Sequence, residues 1–397
     1  MKINVYPIVS PLHDKNYLSF QTLNLLDEIK TVLDSDINIV ELDKLYNADL
    51  SLILIQSGGT ETEFLRLEGK FKEPFYFLAY DSNNSLAAAM EILSYLKNKN
   101  KEAEIFYGSG DYIASRIKKI ASSKGEEQLV KLGVVGEPSD WLISSRVDYQ
   151  AVKRKFNIEL VDISLDEVYK GYKKADLIDF KSGYELKDYD EYDLDCSKKI
   201  KVSLDKIINK YELKGLTIRC FDIVKKLETT ACLALSLLNS ENIISACEGD
   251  IPSLISMYIL KRVTGQSSFM ANPCSVDIKK SEIVLAHCTI PLDMTKSYSL
   301  DSHFESGKGV AIKGELEKKQ VTIFKLSSNL RDYFLTRGEI VDNLNHNDLC
   351  RTQVKVHVDS NISYFLKKPY GNHHLIIYGD FYNEIKTYME KIQYITY

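Results

Sequence analysis

The sequence predicts two α/β units, each built on a parallel sheet, followed by an antiparallel β domain. Three observations lead to this prediction. Apolar strands alternate with amphipathic helices over the first third of the chain, the alternation restarts near Lys131, and short strands without helices begin near Ser267. Because 397 residues exceed what one hydrophobic core usually organises, we expect three domains, over residues 1–130, 131–266 and 267–397.

The first unit contains strand-like and helix-like segments in turn. The strands are "MKINVYPIV", "ADLSLILIQ" and "EPFYFLAY", and the helices are "YLSFQTLNLLDEIKTVL" and "SLAAAMEILSYLKNK". The loop "SGGTE" follows the carboxyl end of the second strand, which is the side where open α/β sheets bind ligands. A plain turn between strand and helix explains the same residues.

The second unit opens with the strand "KLGVVG", followed by "EPSDWLISSRVDYQAVKRKF" and the strand "IELVDIS". Pro138 and the capping residues Ser139 and Asp140 predict that the helix begins there. Residues 136–139 could face an anion at that helix start, or form only a tight turn. Residues 179–199 are rich in acids and tyrosine, which predicts a solvated loop, with a lid over a site as the alternative.

The third unit has period-two segments interrupted by turn residues, and only "FYNEIKTYMEKI" has helical periodicity. This pattern is typical of an antiparallel sheet or barrel closed by one helix. The predicted strands lie within "FMANPCSVDIKKSEIVLAHCTI", "GVAIKGELEKKQVTIFKL", "DYFLTRGEIVDNL", "TQVKVHV" and "HHLIIYGD".

The segment "CEGDIPSLISMY" places two carboxylates before an apolar helix. Asp250 occupies the N-cap position, and Pro252 is tolerated in the first turn. Glu248 lies two residues earlier, where the positive end of the helix dipole favours its ionised form. An ionised acid there can bind a divalent cation or accept a proton, so Glu248 is a candidate functional residue of the second domain.

Histidine is concentrated in the third domain, since six of the seven histidines follow residue 280. His287 ends one apolar strand, and His373 and His374 precede another. His303 and Glu305 lie in the loop "SHFESGKG". Imidazole and carboxylate together suit Mn²⁺, Zn²⁺, Fe²⁺ or Co²⁺ better than Ca²⁺, which makes a transition-metal site a hypothesis.

Composition argues against several classes of protein. A net charge of −5 gives no general attraction to nucleic acid or anionic lipid, so we expect neither as a partner. Seven cysteines without CxxC spacing are typical of a reducing compartment. The amino-terminal residues lack the long apolar core of a signal peptide, and the apolar runs are too short to span a bilayer. We therefore expect a soluble cytoplasmic protein.

Five segments, in this order, resemble motifs of the L-fucose isomerase and L-arabinose isomerase superfamily: "EGD", "TGQSSFMANP", "IVLAHCTIP", "HFESGKGV" and "GNHHLIIYGD". The resemblance is clearest over residues 245–380 and is closest to the shorter, fucose-isomerase-like branch. It implies two Rossmann-like domains followed by a β-barrel-like domain, and a homo-oligomer (a trimer or hexamer). It also implies a small-molecule sugar substrate and aldose–ketose isomerisation through a cis-enediolate, with Mn²⁺ or another divalent transition metal.

The resemblance also implies a ligand set. Glu248 matches the family's metal ligand and base, and His373 matches its metal histidine. His287 stands where arabinose isomerases have a further metal histidine. Asn272 takes the place of the family's second carboxylate, and its amide oxygen could still bind a cation. Asp277, five residues later, is the alternative carboxylate.

Further roles follow from the same comparison. His287 or Asp250 could relay the proton between the sugar oxygens. His303, Arg351 and His374 are candidate substrate-binding residues. A surface ion pair is the alternative explanation for Arg351.

Two other functions remain open at this stage. The loss of the second carboxylate at Asn272 favours a related metal-dependent reaction on a sugar acid, such as epimerisation. The same fold could also form a sugar-binding or regulatory protein without catalysis.

Overall fold

A computed structural model describes residues 2–11, 15–33, 36–41, 48–99, 101–124, 129–177 and 191–395. The chain divides into two compact units, one formed by residues 1–128 and 390–397, the other by residues 129–389. Within the described ranges, no helix combines the length and the apolar character needed to cross a membrane. The predicted division into three domains stays a prediction.

The first unit is an α/β unit with a five-stranded parallel sheet in the order β2-β1-β3-β4-β5. Side chains on both faces of this sheet are buried, because helices cover both, and the strands are therefore apolar almost throughout. The strands are β1 (Lys2–Ile8), β2 (Asp36–Ile39), β3 (Leu50–Ile55), β4 (Phe75–Leu78) and β5 (Ala103–Phe106). The helices are α1 (Lys15–Val32), α2 (Glu61–Leu67), α3 (Ser85–Asn98) and α4 (Gly110–Lys124).

The second unit begins with a four-stranded parallel sheet in the order β7-β6-β8-β9. Its strands are β6 (Val130–Val135), β7 (Ile158–Ile163), β8 (Gly215–Ile218) and β9 (Ile244–Ala246). The helices in this part of the chain are α5 (Tyr149–Phe156), α6 (Leu165–Lys173), α7 (Glu191–Tyr211), α8 (Cys220–Leu227), α9 (Cys232–Ser240) and α10 (Ile251–Thr264).

A closed barrel of six antiparallel strands completes the second unit, in the order β10-β11-β16-β15-β14-β17. Its strands are β10 (Phe269–Asp277), β11 (Glu282–His287), β14 (Gln320–Leu326), β15 (Tyr333–Asn343), β16 (Thr352–Val358) and β17 (His374–Tyr378). The hairpin strands β12 (Ser297–Asp301) and β13 (Ala311–Glu315) pair outside the barrel. This part of the chain also contains the helices α11 (Tyr364–Lys367) and α12 (Tyr382–Ile395), and the residues of α12 from Glu390 onward belong to the first unit. The predicted fold class, parallel α/β sheets followed by an antiparallel barrel, is confirmed.

Helix α10 connects the parallel sheet to the barrel and determines where the candidate site lies. It contacts β8 and β9 of the sheet as well as β14 and β17 of the barrel. Every residue from Ile251 to Leu260 is buried, as expected for a helix that is apolar around its whole circumference. The start of this helix is therefore enclosed by both parts of the second unit.

Two predicted segments differ from the structure. The helix predicted to start at Pro138 starts later, since residues 137–148 form a loop and α5 begins at Tyr149. The cap is Asp148, whose side chain accepts a hydrogen bond from the backbone N–H of Gln150 at 2.8 Å. The predicted loop over 179–199 is helical from Glu191 onward, and its first part lies outside the described residues. The helix is stable there because it buries Leu194, Ile200 and other residues at helical spacing.

Candidate metal centre

The turn between β9 and α10 holds Glu248 in an unusual backbone conformation. Glu248 and Gly249 both have positive φ angles, 60° and 73°. A Cβ atom on Gly249 would lie 2.7 Å from the carbonyl oxygen of Glu137, so only glycine lets the loop after β6 pack against this turn. A glutamate in the left-handed region costs on the order of 1–3 kcal/mol and is a common feature of functional sites.

Asp250 caps helix α10, as the sequence predicts, and it also orients His373. Its Oδ1 accepts from the backbone N–H of Ser253 at 2.8 Å, while Oδ2 lies 2.9 Å from His373 Nδ1. The same Oδ2 accepts from the Ser253 hydroxyl at 2.8 Å and from Lys325 Nζ at 3.2 Å. The hydrogen bond to Nδ1 leaves the other ring nitrogen, Nε2, to face the site, as in the carboxylate–histidine pairs of known metal sites.

His287 ends strand β11, where its backbone pairs with Thr352 on β16. The ring is 4% exposed, and its Nδ1 lies 2.9 Å from the hydroxyl of Thr289, which fixes the orientation of the imidazole. Its centroid is 5.4 Å from that of His373. The barrel therefore brings two imidazoles together at the start of helix α10.

Glu248, His287 and His373 form one buried cluster. Each offers a ligand atom, and the three atoms lie within 4.8 Å of one another. Glu248 Oε1 lies 3.5 Å from His373 Nε2. This is the one group of three or more potential ligands from His, Cys, Asp and Glu within the described residues that meets that distance.

Charged neighbours and burial shift the pKa values of Glu248 and His373 in opposite directions. Burial alone would raise the pKa of Glu248, but His373 beside it and the hydrogen bond from Trp141 hold that pKa at about 2. Burial would likewise lower the pKa of His373, but Asp250 and Glu248 raise it to about 9. For His287, burial and the charge of His373 outweigh the raising effect of Glu248, so its pKa falls to about 3 and its imidazole is neutral.

The residues fit a divalent transition metal. His373 Nε2 is fully buried and makes no hydrogen bond to any residue in the described part of the chain. A buried nitrogen without a hydrogen bond costs free energy, and a cation held also by a carboxylate and a second imidazole would satisfy it. Two imidazole nitrogens and one carboxylate oxygen are ligands that suit Mn²⁺, Fe²⁺, Co²⁺ and Zn²⁺.

Asn272 and Asp277 occupy separate places on β10. The Asn272 amide oxygen accepts a hydrogen bond of 3.1 Å from Asn372, the residue before His373. Asp277 accepts from the backbone N–H groups of Lys279 and Lys280 at 3.0 and 3.1 Å, and so closes the turn after β10. Asp277 therefore stabilises a hairpin turn, and Asn272 adjoins the segment that carries His373.

Arg351 bonds to Ser302, the residue before His303, and its charge adds to burial in lowering the pKa of His303. His303 Nδ1 is 3.0 Å from the Ser306 hydroxyl, and its ring packs on Phe221. Arg351 donates to the carbonyl oxygen of Ser302 at 2.8 Å and pairs with Asp301 at 3.3 Å. This ion pair is largely buried, unlike the surface pair that is the alternative for Arg351, and the substrate-binding role of Arg351 stays a prediction.

His374 is a residue of the barrel core. Its side chain is fully buried, Nδ1 lies 3.1 Å from the carbonyl oxygen of Asn372, and Nε2 lies 3.1 Å from the Tyr364 hydroxyl. Phe334 and Phe365 pack against the ring. Both ring nitrogens are therefore used within the protein, and neither is left for a substrate.

Three residues around the cluster carried no role in the sequence analysis. Trp141 donates its indole N–H to Glu248 Oε2 at 2.8 Å, Thr289 contacts His287, and Lys325 pairs with Asp250 while both are buried. Lys325 is detectable in principle, because a lysine interrupts the apolar strand "QVTIFKL". Trp141 and Thr289 carry no comparable signal in a single sequence.

A cavity of about 750 Å³ lies at the carboxyl ends of β6, β7 and β8. Pro138, Arg219 and Ile251 line it, so it borders both the loop after β6 and the start of α10. Glu248, His287 and His373 are not among its lining residues. The cavity therefore adjoins the elements of the candidate metal centre without containing its ligand atoms.

The fold and this cluster define an α/β protein with a β-barrel that carries a candidate metal centre. No family model matches the chain. The sulfoquinovose isomerase of Priestia aryabhattai is 24% identical over 327 residues, which cover 75% of this chain and 72% of that protein. The sulfoquinovose isomerase of Alkalicoccus urumqiensis is 26% identical over 189 residues, 44% of this chain and 42% of that protein. That of a Clostridium species (strain MSTE9) is 27% identical over 190 residues, 43% of this chain and 41% of that protein.

Proposed function

We propose that the protein is a metal-dependent aldose–ketose isomerase that acts on a sugar through a cis-enediolate. The observation that carries this proposal is the convergence of Glu248, His287 and His373 within 4.8 Å in a buried site. The names of the similar proteins support an isomerase with a sugar substrate. The resemblance to the L-fucose isomerase and L-arabinose isomerase superfamily supports the metal requirement.

Glu248, His287 and His373 are the proposed ligands of Mn²⁺ or a similar cation. A divalent cation there supplies positive charge close to the two sugar oxygens on which negative charge develops. Asn272 is proposed only as an outer neighbour, since its amide oxygen already accepts from Asn372.

Glu248 is the proposed base. Its lowered pKa keeps the carboxylate ionised at neutral pH, as proton abstraction requires. It takes the proton from C2 of the aldose and returns it to C1, while one hydroxyl proton moves from O2 to O1. General acid–base catalysis of this kind contributes roughly 10²–10⁴-fold to a rate.

Asp250 and His287 have different proposed parts in this reaction. All the hydrogen bonds of Asp250 are made within the protein, so its proposed part is to orient His373. His287 has its Nδ1 on the Thr289 hydroxyl and is proposed to bind the cation through its other ring nitrogen, so its proposed part is that of a metal ligand and not of a proton relay.

The proposed substrate is an aldose, and the names of the similar proteins make sulfoquinovose the first to test. His303 and Arg351 are the proposed contacts for substrate hydroxyls or for an anionic substituent. Assembly as a trimer or hexamer and a cytoplasmic location stay predictions, and light scattering would measure the first.

Incubation with Mn²⁺ and a panel of aldoses, followed by NMR, tests the function. The panel includes sulfoquinovose, a deoxyhexose and a pentose, and we expect one of them to give its ketose. Glu248→Gln should abolish turnover. Glu282→Gln should not, because that carboxylate lies at the other end of β11 and pairs with Lys355.

The second candidate is a related metal-dependent reaction, the epimerisation of a sugar acid. The presence of Asn272 favours it, because asparagine stands where the resembling family has its second carboxylate. The same NMR experiment separates the two, since an epimer without ketose would support this alternative. A protein without metal and without turnover would support a sugar-binding or regulatory role.

A further inference from the structure

Trp141 is bound to the carboxylate of Glu248. Its indole N–H donates to Oε2 at 2.8 Å, while the other oxygen, Oε1, faces His373 Nε2 at 3.5 Å. A hydrogen bond to an ionised carboxylate is among the strong ones in proteins. Trp141 therefore fixes one oxygen of Glu248 and leaves the other for the cluster.

The loop that carries Trp141 is itself held against the Glu248 turn. The backbone N–H of Ser139 donates to the carbonyl oxygen of Glu248 at 2.9 Å. Arg219 donates to the carbonyl oxygen of Pro138 at 2.8 Å and to Asp140 at 2.6 Å. Because these bonds involve three consecutive residues just before Trp141, the indole approaches Glu248 from a fixed direction.

Trp141 also exposes an aromatic surface. It is 50% exposed, while Glu248 is 8% exposed. Its ring meets Phe221 edge-on at 4.8 Å between centroids, and Phe221 meets His303 in the same way at 5.7 Å. Trp141, which bonds to Glu248, is therefore linked through Phe221 to His303 by consecutive edge-on ring contacts, with Trp141 the exposed ring of the row.

We propose that Trp141 is a positioning residue for Glu248 and that its exposed face is the surface on which the apolar, carbon–hydrogen face of the sugar binds. This rests on the proposed function, because the sugar belongs to the same site. Holding Oε2 leaves Oε1 on the side of His373, where it would be free to bind a cation or accept a proton. The aromatic face selects sugars whose hydroxyl groups point away from it, towards polar partners.

Fluorine NMR of fluorotryptophan-labelled protein tests the contact to Glu248 without any enzymatic activity. Trp141 is the single tryptophan of the chain, so the spectrum contains one resonance. Titration with Zn²⁺ should shift this resonance until one ion is bound, and Glu248→Gln should abolish the response. An unchanged resonance in a protein that binds Zn²⁺ by calorimetry would overturn the proposal.

Trp141→Phe keeps an aromatic ring and removes the N–H donor. We expect Mn²⁺ affinity to fall roughly 10- to 100-fold, as for other groups that orient metal ligands. We expect kcat to fall as well, with KM nearly unchanged. Trp141→Ala should in addition raise KM, because it removes the sugar-binding surface.

Ile143→Ala is the matched control, since Ile143 lies two residues further along the same loop and is 89% exposed. Its metal affinity and kinetics should equal those of the wild type. A Trp141→Phe variant with wild-type metal affinity and kcat would overturn the positioning role, and Trp141→Ala with a wild-type KM would overturn the sugar contact. If the wild type converts no aldose while Trp141→Phe still weakens metal binding, the proposed function fails and the positioning of Glu248 stands.

Discussion

Asp250→Asn separates the two roles of Asp250, helix capping and the orientation of His373. Asparagine caps helices about as well as aspartate, so the bond from the Ser253 N–H to Oδ1 should persist. At the Oδ2 position an amide group would face donors from His373, Ser253 and Lys325. His373 would then carry its proton on Nε2, the nitrogen that faces the cluster.

Two effects of different size follow from this substitution. Lys325 is buried and would lose its counter-charge, and breaking a buried pair in this way costs about 3–5 kcal/mol of unfolding free energy. Loss of the correct His373 tautomer should lower metal affinity roughly 10- to 100-fold. Lys325→Met in the same chain removes the unpaired charge, so it should restore most of the stability but none of the metal affinity.

Urea unfolding followed by circular dichroism measures the first effect, and calorimetric titration with Mn²⁺ measures the second. We expect the single variant to lose both stability and metal affinity, and the double variant to regain only stability. A double variant that also regains metal affinity would show that Asp250 acts through stability alone. Wild-type metal affinity in Asp250→Asn would refute the orientation of His373 by this carboxylate.

Three further predictions concern the surroundings of the cluster. Gly249→Ala should lower the free energy of unfolding in urea more than Gly265→Ala does. Both glycines have positive φ, but only at Gly249 would a Cβ atom collide with a neighbour, the Glu137 carbonyl oxygen at 2.7 Å. Equal losses would refute the close packing at Gly249. His374→Phe should lower the unfolding free energy by about 1–3 kcal/mol and leave Mn²⁺ affinity unchanged in calorimetry, whereas weaker metal binding would give His374 a role in the site. Thr289→Val should weaken Mn²⁺ binding roughly 10-fold by releasing His287, and unchanged affinity would show that the imidazole is held by packing.

The fold class could be predicted because buried positions are occupied by apolar residues, whose spacing in the sequence differs between helices and strands. Strands covered on both faces, such as Leu50–Ile55, are almost entirely apolar, while barrel strands such as Tyr333–Asn343 alternate between buried and more exposed residues. The spacing of apolar residues does not show that the six strands close into a barrel, since closure depends on the pairing of β10 with β17, which lie far apart in the sequence.

Part of the site could also be predicted. The Asp250 cap follows from local chemistry alone and is confirmed. The meeting of Asp250 with His373, 123 residues away, follows only from the topology that places β17 beside helix α10. The sequence predicts a helix at Trp141, because Pro138, Ser139 and Asp140 resemble a helix start. In the structure this segment is a loop, and the backbone N–H of Ser139 donates to the carbonyl oxygen of Glu248.

Anomalous scattering from a crystal soaked in Mn²⁺ tests the central claim most directly. We predict one strong peak in contact with the Glu248 carboxylate and with the imidazoles of His287 and His373, and its loss in His373→Gln. A well-ordered crystal with no peak among these three side chains, or with its main peak elsewhere, would contradict the assignment of this cluster as a metal centre.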